Sequence, residues 1–175
     1  MLIPTYGWGD TERHKMGISS ALTSDRGLES VLRDLAGNNA YKVKKSVTFD
    51  GGTANDVGDL TGTGNPATLF TVTGEVLAYI VPVCKTLLAG ATATLEVGVT
   101  GATAALVAQT TATDIDADEG WFAATPTLAV ANTAQYHVLG LDVIQTVGTA
   151  DITSGVIDYY LFWKPLSDDG NVVAA

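Results

Sequence analysis

Charge is scarce in this chain. Asp, Glu, Lys and Arg make up 16% of its 175 residues, against about 25% in ordinary soluble proteins. A surface so poor in charge has to be covered by neutral polar groups, or part of it is buried against another copy or a larger assembly. Cysteine is scarcer still. Cys84 is alone, which excludes an intramolecular disulfide, and its place at the end of the apolar run Val76 to Val83 marks it as a small buried residue. Histidine occurs twice, at 14 and 137. His14 stands in a polar N-terminal stretch and His137 in an apolar strand, so neither is set beside a Ser or Cys nucleophile, and an enzyme is not expected. Long hydrophobic runs are missing too. No stretch reaches the roughly 18 to 20 apolar residues of a membrane span, and Met1 to Asp10 has no basic region followed by an apolar one. A soluble protein with no membrane partner is expected.

The charge that is present is unevenly spread. Residues 1–45 hold seven of the nine basic residues and five acids, a net of +2, whereas residues 46–175 hold fourteen acids and only Lys85 and Lys164, a net of −12. Two segments of opposite sign face different partners. A body with two lysines cannot neutralise phosphates, so nucleic acid is not an expected partner. The glycines of Gly58 to Gly64 lack the lysine and the following helix of a phosphate-binding loop.

The period of the apolar residues changes along the chain. Residues 1–20, punctuated by Pro4, Gly7, Gly9 and Gly17, read as an extended arm with Tyr6 and Trp8 as sticky side chains. Ser24 or Asp25 then caps a short helix of about residues 25–36, in which Leu28, Val31, Leu32 and Leu35 recur at helical spacing and Gly37 ends the run. One apolar stripe over about three turns does not stand alone in water, so it docks. From Tyr41 the period is two: Val43, Lys45, Val47 and Phe49 alternate with Lys42, Lys44, Ser46 and Thr48. Gly51 to Pro66 reads as a long surface loop. Strands follow at Thr68 to Thr73, Glu75 to Val83, Leu95 to Val99, Ala104 to Ala108, Trp121 to Ala123, Thr127 to Ala131, Tyr136 to Val147 and Val156 to Lys164. About eight short strands, rich in threonine and without helical period, predict an antiparallel β-sandwich of the jelly-roll kind over residues 43–175, preceded by an arm over residues 1–42.

Three groups of residues are candidates for function. Asp114, Asp116 and Asp118 are the one place where alternate carboxylates could converge on a cation, but a calcium loop starting at Asp114 would want Gly at 119 and Glu at 125, where the chain has Glu and Thr; no metal or other cofactor is expected. Lys42, Lys44 and Lys45 form the single basic patch of the body, suited to an acidic protein surface or to guarding a strand edge. In the last aromatic strand Ile157, Tyr159, Leu161 and Trp163 share one face, and Tyr160 and Phe162 lie on the other as candidates for a subunit contact.

The segment from Ala93 to Gly101, with Ala104-Ala105-Leu106 and Thr110 to Asp116, resembles small virion proteins of tailed bacteriophages. So does Val147 to Gly155 with the aromatic strand and Trp163-Lys164-Pro165-Leu166 after it. The resemblance covers roughly residues 43–170 and is one of phrase rather than of catalytic motif. Such proteins are similar to capsid decoration or cement proteins, which implies a structural role, a homotrimer, the major capsid protein as partner and a place on the capsid exterior after synthesis in the host cytoplasm. On that reading Tyr6, Trp8, Leu28, Val31, Leu32, Leu35, Lys42, Lys44 and Lys45 carry the attachment. A tail or head-fibre component, or a carbohydrate-binding sandwich on the virion surface, are the alternatives.

Overall fold

The computed structural model describes residues 40–53, 55–122 and 136–175. The arm residues Tyr6, Trp8 and His14, the predicted helix with Leu28, Val31, Leu32 and Leu35, and the predicted strand Thr127 to Ala131 lie outside the described residues. The chain divides after Ala40 into two units, and the second is an antiparallel β-sandwich.

Nine strands are described: β1 (Tyr41–Thr48), β2 (Ala67–Thr73), β3 (Glu75–Ala89), β4 (Thr94–Val99), β5 (Ala102–Thr111), β6 (Tyr136–Leu139), β7 (Val143–Gly148), β8 (Ser154–Pro165) and β9 (Asn171–Ala174). A front sheet runs β1-β8-β3-β6 and a back sheet β5-β4-β7-β2-β9. The pairings β1 with β8, β2 with β7, β3 with β6 and β4 with β5 are all antiparallel. Such nested pairs are what a long hairpin gives when it is rolled so that its strands fall alternately into two layers, and this is the jelly roll. The ninth strand extends the back sheet beyond β2.

Alternation explains which side chains meet between the layers. In β8 Ile157, Tyr159 and Leu161 are wholly buried, and in β4 Leu95 and Val97 are as well, because residues two apart share a face of the pleat. Phe49, Phe70, Leu69, Ile80 and Leu88 fill the space between. At one end of the sandwich Tyr41 stacks on Trp163 with ring centroids 4.7 Å apart.

Four expectations change. The run Tyr136 to Val147 is not one strand: Gly140, at φ +56, turns the chain out of the front sheet, and β7 begins at Val143 in the back sheet. Of the predicted strand Trp121 to Ala123, Trp121 and Phe122 are not in a strand and Ala123 lies outside the described residues. Trp121 is wholly buried, its indole N–H donates to the Thr110 hydroxyl at 2.9 Å, and only a bridge from Gly120 to Val83 precedes it. Its bulk does more good as a plug between the layers than on a ladder. The third change is β9, whose four residues carry too short an alternation to stand out.

The fourth concerns Gly51 to Pro66, which links the two sheets and is far more than an exposed loop. Gly51 N–H donates to the Ile152 carbonyl at 3.0 Å and Ile152 N–H to the Gly58 carbonyl at 2.8 Å. A Cβ on Gly51 would lie 2.6 Å from two backbone atoms, and Gly58 has φ +108 with the Ile152 oxygen in the way of any side chain, so both positions need glycine. Asn65 holds the far end: its amide donates to the Leu60 and Val147 carbonyls and its oxygen accepts from Val147 N–H at 2.9 Å.

Candidate interaction face

The pleat that sends Tyr159 and Leu161 inward sends Asp158, Tyr160, Phe162 and Lys164 outward on β8. Register then fixes their neighbours. Lys42, Phe162 and Tyr79 form one row across β1, β8 and β3; Lys44, Tyr160 and Val81 form the next; Ser46, Asp158 and Val83 the third. Lys164 lies opposite Leu77, which lies opposite His137 on β6. The outer face of the front sheet thus has an apolar and aromatic centre, Leu77, Tyr79, Val81, Phe162 and Tyr160, all half-buried on the surface of the sheet. Leu139 on β6 adds an apolar side chain that is 57% exposed. Tyr79 and Phe162 stack on each other, centroids 4.8 Å apart and planes 4° apart. Each ring therefore turns one face to the other rather than to solvent.

Polar groups rim this centre. Lys44 Nζ lies 2.7 Å from an Asp158 carboxylate oxygen and 5.5 Å from the Tyr160 ring centroid, with Lys42 Nζ 6.0 Å from the same ring, distances at which a cation is attracted to the π face. Ser46 Oγ donates to the other Asp158 oxygen, and Tyr160 OH approaches the carboxylate at 3.5 Å. Burial pushes the Asp158 carboxyl up, but the hydrogen bonds from Lys44 and Ser46 and the Lys44 charge outweigh it and hold the pKa below the ordinary carboxylate value. The hydrogen bond to Asp158, aided by the negative charge beside it, raises Lys44. At the β6 side His137 Nε2 lies 3.4 Å from Glu75.

The three lysines expected as one patch are divided. Neighbours on a strand point to opposite faces, so Lys42 and Lys44 reach the outer face while Lys45 turns toward the seam between the layers, where its ammonium donates to the Ala175 carbonyl. An inward-turned charge on an edge strand guards that edge against pairing with another chain. Lys164 takes the place of Lys45 on the outer face. Its parity with Tyr160 and Phe162 is the signal in the sequence that finds it.

The carboxylates of Asp114, Asp116 and Asp118 do not come together. Ile115 is drawn wholly into the core, which splays its neighbours, and Asp118 turns to Lys85 at 3.4 Å. Among the described residues no group of three His, Cys, Asp or Glu is placed to hold a metal ion. The segment is instead laid against the front sheet on the side away from β1. Cys84 N–H donates to the Glu119 carbonyl, Asp118 N–H to the Cys84 carbonyl and Trp121 N–H to the Pro82 carbonyl, at 2.9 to 3.0 Å. Cys84 is wholly buried, and burial pushes its thiol up to about 11.

Among the described residues no helix is long and apolar enough to cross a membrane. No family model, no curated protein and no solved structure matches this chain.

Proposed function

We propose that the protein is a structural component of a bacteriophage virion, a decoration or cement protein that assembles as a homotrimer on the capsid exterior and attaches to the major capsid protein through residues 1–42. The observation that carries this reading is the outer face of the front sheet. Where one face of an antiparallel sheet meets water, its side chains alternate to polar, yet here the two central strands present Leu77, Tyr79, Val81, Tyr160 and Phe162 outward. A continuous patch of that kind in a chain with so little charge favours a protein neighbour. Sugar binding is supported less, because a sugar packs on an open ring face and Tyr79 and Phe162 cover one another.

The mechanism is mechanical. Each cement unit that joins two capsid subunits adds buried area, and several joined contacts on one particle hold far more tightly than one. The acidic body faces outward, away from packaged DNA that would repel it. The phrases that resemble virion proteins fall on β4, β5 and the end of β7 in the back sheet and on β8 in the front sheet, of which β8 carries Tyr160 and Phe162 on the outer face.

Copy number tests the reading. A stained gel of purified virions is expected to show a band of about 18 kDa at an intensity comparable to the major capsid protein, and a protein lacking residues 1–40 is expected to fold and not sediment with capsids. A faint band would move the protein to a tail or fibre, and its absence from particles would overturn the virion role.

A further inference from the structure

The outer face of the front sheet is polarised. On the β1 side stand the cations Lys42, Lys44 and Lys164, all exposed. On the opposite side, beyond β3, the chain lays down Asp116, Asp118 and Glu119 along Pro82 to Cys84. The strip of Tyr160, Phe162, Tyr79 and Val81 runs between. From β1 across β8 and β3 to that segment is three strand spacings, roughly 14 Å, more than the Debye length of about 8 to 10 Å at physiological salt. The two sides therefore do little to neutralise each other within one molecule. Lys44 is already matched by Asp158 and Asp118 by Lys85, which leaves Lys42 and Lys164 on one side and Asp116 and Glu119 on the other for a second copy to match.

We infer that in the assembled protein the Lys42, Lys44 and Lys164 side of the front face of one copy packs against the Asp116 to Glu119 side of the next, with Tyr160 and Phe162 buried at the contact. The occupant of the face is another copy of this chain, because its body is strongly acidic, a net of −12 over residues 46–175, and because the acids lie on the same sheet as the lysines but on its other side. Unlike sides can be joined in a two-fold pair or head to tail; the trimer of the reading above selects the head-to-tail contact, which closes into a ring when the rotation allows it. Three copies are such a ring. This deepens the trimer in the reading above and rests on it.

Charge reversal on the purified full-length protein, followed by light scattering at low salt, tests the pairing. Lys42→Glu with Lys164→Glu is expected to lower the mass from three chains to one, weakening the contact at least about tenfold by setting like charges together; these two are chosen because neither holds Asp158. Asp116→Lys with Glu119→Lys is expected to do the same. All four changes together restore opposite charges across the contact and are expected to return the trimer. An equimolar mixture of the two double variants is expected to give incomplete assemblies, because a ring of three drawn from two kinds always contains one mismatched contact, whereas a two-fold pair would be fully restored. Restoration to pairs in the mixture would overturn the head-to-tail arrangement. A four-fold variant with native strand content by circular dichroism that stays monomeric would overturn the pairing, as would double variants that keep the wild-type mass. A wild type that is itself monomeric at every concentration would remove both the trimer and this contact, while copy number on the particle still decides the virion role separately.

Discussion

The two outer faces of the sandwich are built on the same pleat and finished in opposite ways. Outward positions of the back sheet carry mostly polar residues, Thr68, Thr71 and Thr73 on β2, Thr94 and Glu96 on β4 and Thr146 on β7, with the aliphatic Ile144 opposite Thr68 and Val173 opposite Thr71 and no aromatic among them. Outward positions of the front sheet carry Leu77, Tyr79, Val81, Tyr160 and Phe162. Thr71 and Thr73 suit a strand and stand exposed to water, while the hydroxyls of Thr94 and Thr146 are buried; an aromatic row gains most when something covers it. Backbone architecture does not tell the two faces apart; the side chains of one parity do.

Breaking the front face alone is expected to have the largest effect. Tyr160→Asp with Phe162→Asp places charge in the centre of the proposed contact and is expected to abolish self-association, leaving 18.1 kDa monomers in light scattering, while Thr71→Asp with Thr73→Asp on the back face is expected to leave the mass unchanged. Equal loss from both pairs would erase the distinction between the faces. The next effect concerns what the two layers share. Trp121→Ala removes the plug between them and is expected to cost about 3 to 5 kcal/mol in urea unfolding. Gly58→Ala strains the link from β1 to β2, at about 1 to 3 kcal/mol from the backbone alone.

Smaller effects sharpen the contrast further. Asp158 belongs to the front sheet, and its folded pKa lies below its unfolded one, so the stability it contributes is present above the ordinary carboxylate value of about 3.9 and lost as pH falls through the folded value. Below about pH 4 the wild type is expected to lose more stability than an Asp158→Asn variant does, which a urea series across pH would reveal. Cys84 gives the smallest signal. With its thiol pushed up to about 11 and no exposure, the folded protein is expected to react negligibly with a disulfide reagent at pH 8 and fully in denaturant. Fast reaction in the folded state would mean that the front sheet opens beside β3.

Much of this is legible from spacing. The alternation of β8 by itself separates Tyr159 and Leu161 from Tyr160 and Phe162, and period two makes it unavoidable that Lys44 and Lys45 part company. What escapes a reading by period is organised by other forces. The segment Gly51 to Pro66 has no apolar period because backbone hydrogen bonds and the side chain of Asn65 hold it. Trp121 has the propensity of a strand residue, but volume decides its place. The crossing at Gly140 hides inside an apolar run, since a strand that changes sheets keeps its hydrophobicity and alters only its direction. The polarity of the front face is invisible until register sets Asp118 to Trp121 beside β3, across two strands from the lysines.

Nested pairing has a consequence during synthesis. Tyr41 pairs with Trp163 and Thr48 with Val156, so β1 leaves the ribosome with its partner strand still unmade. At about 5 to 20 residues per second the wait is on the order of ten seconds. Throughout it β1 is a bare template that could join the β1 of another nascent chain. Its three lysines on two faces make that union repulsive, so the charges that mark this edge in the folded sheet also protect the strand before its partner exists.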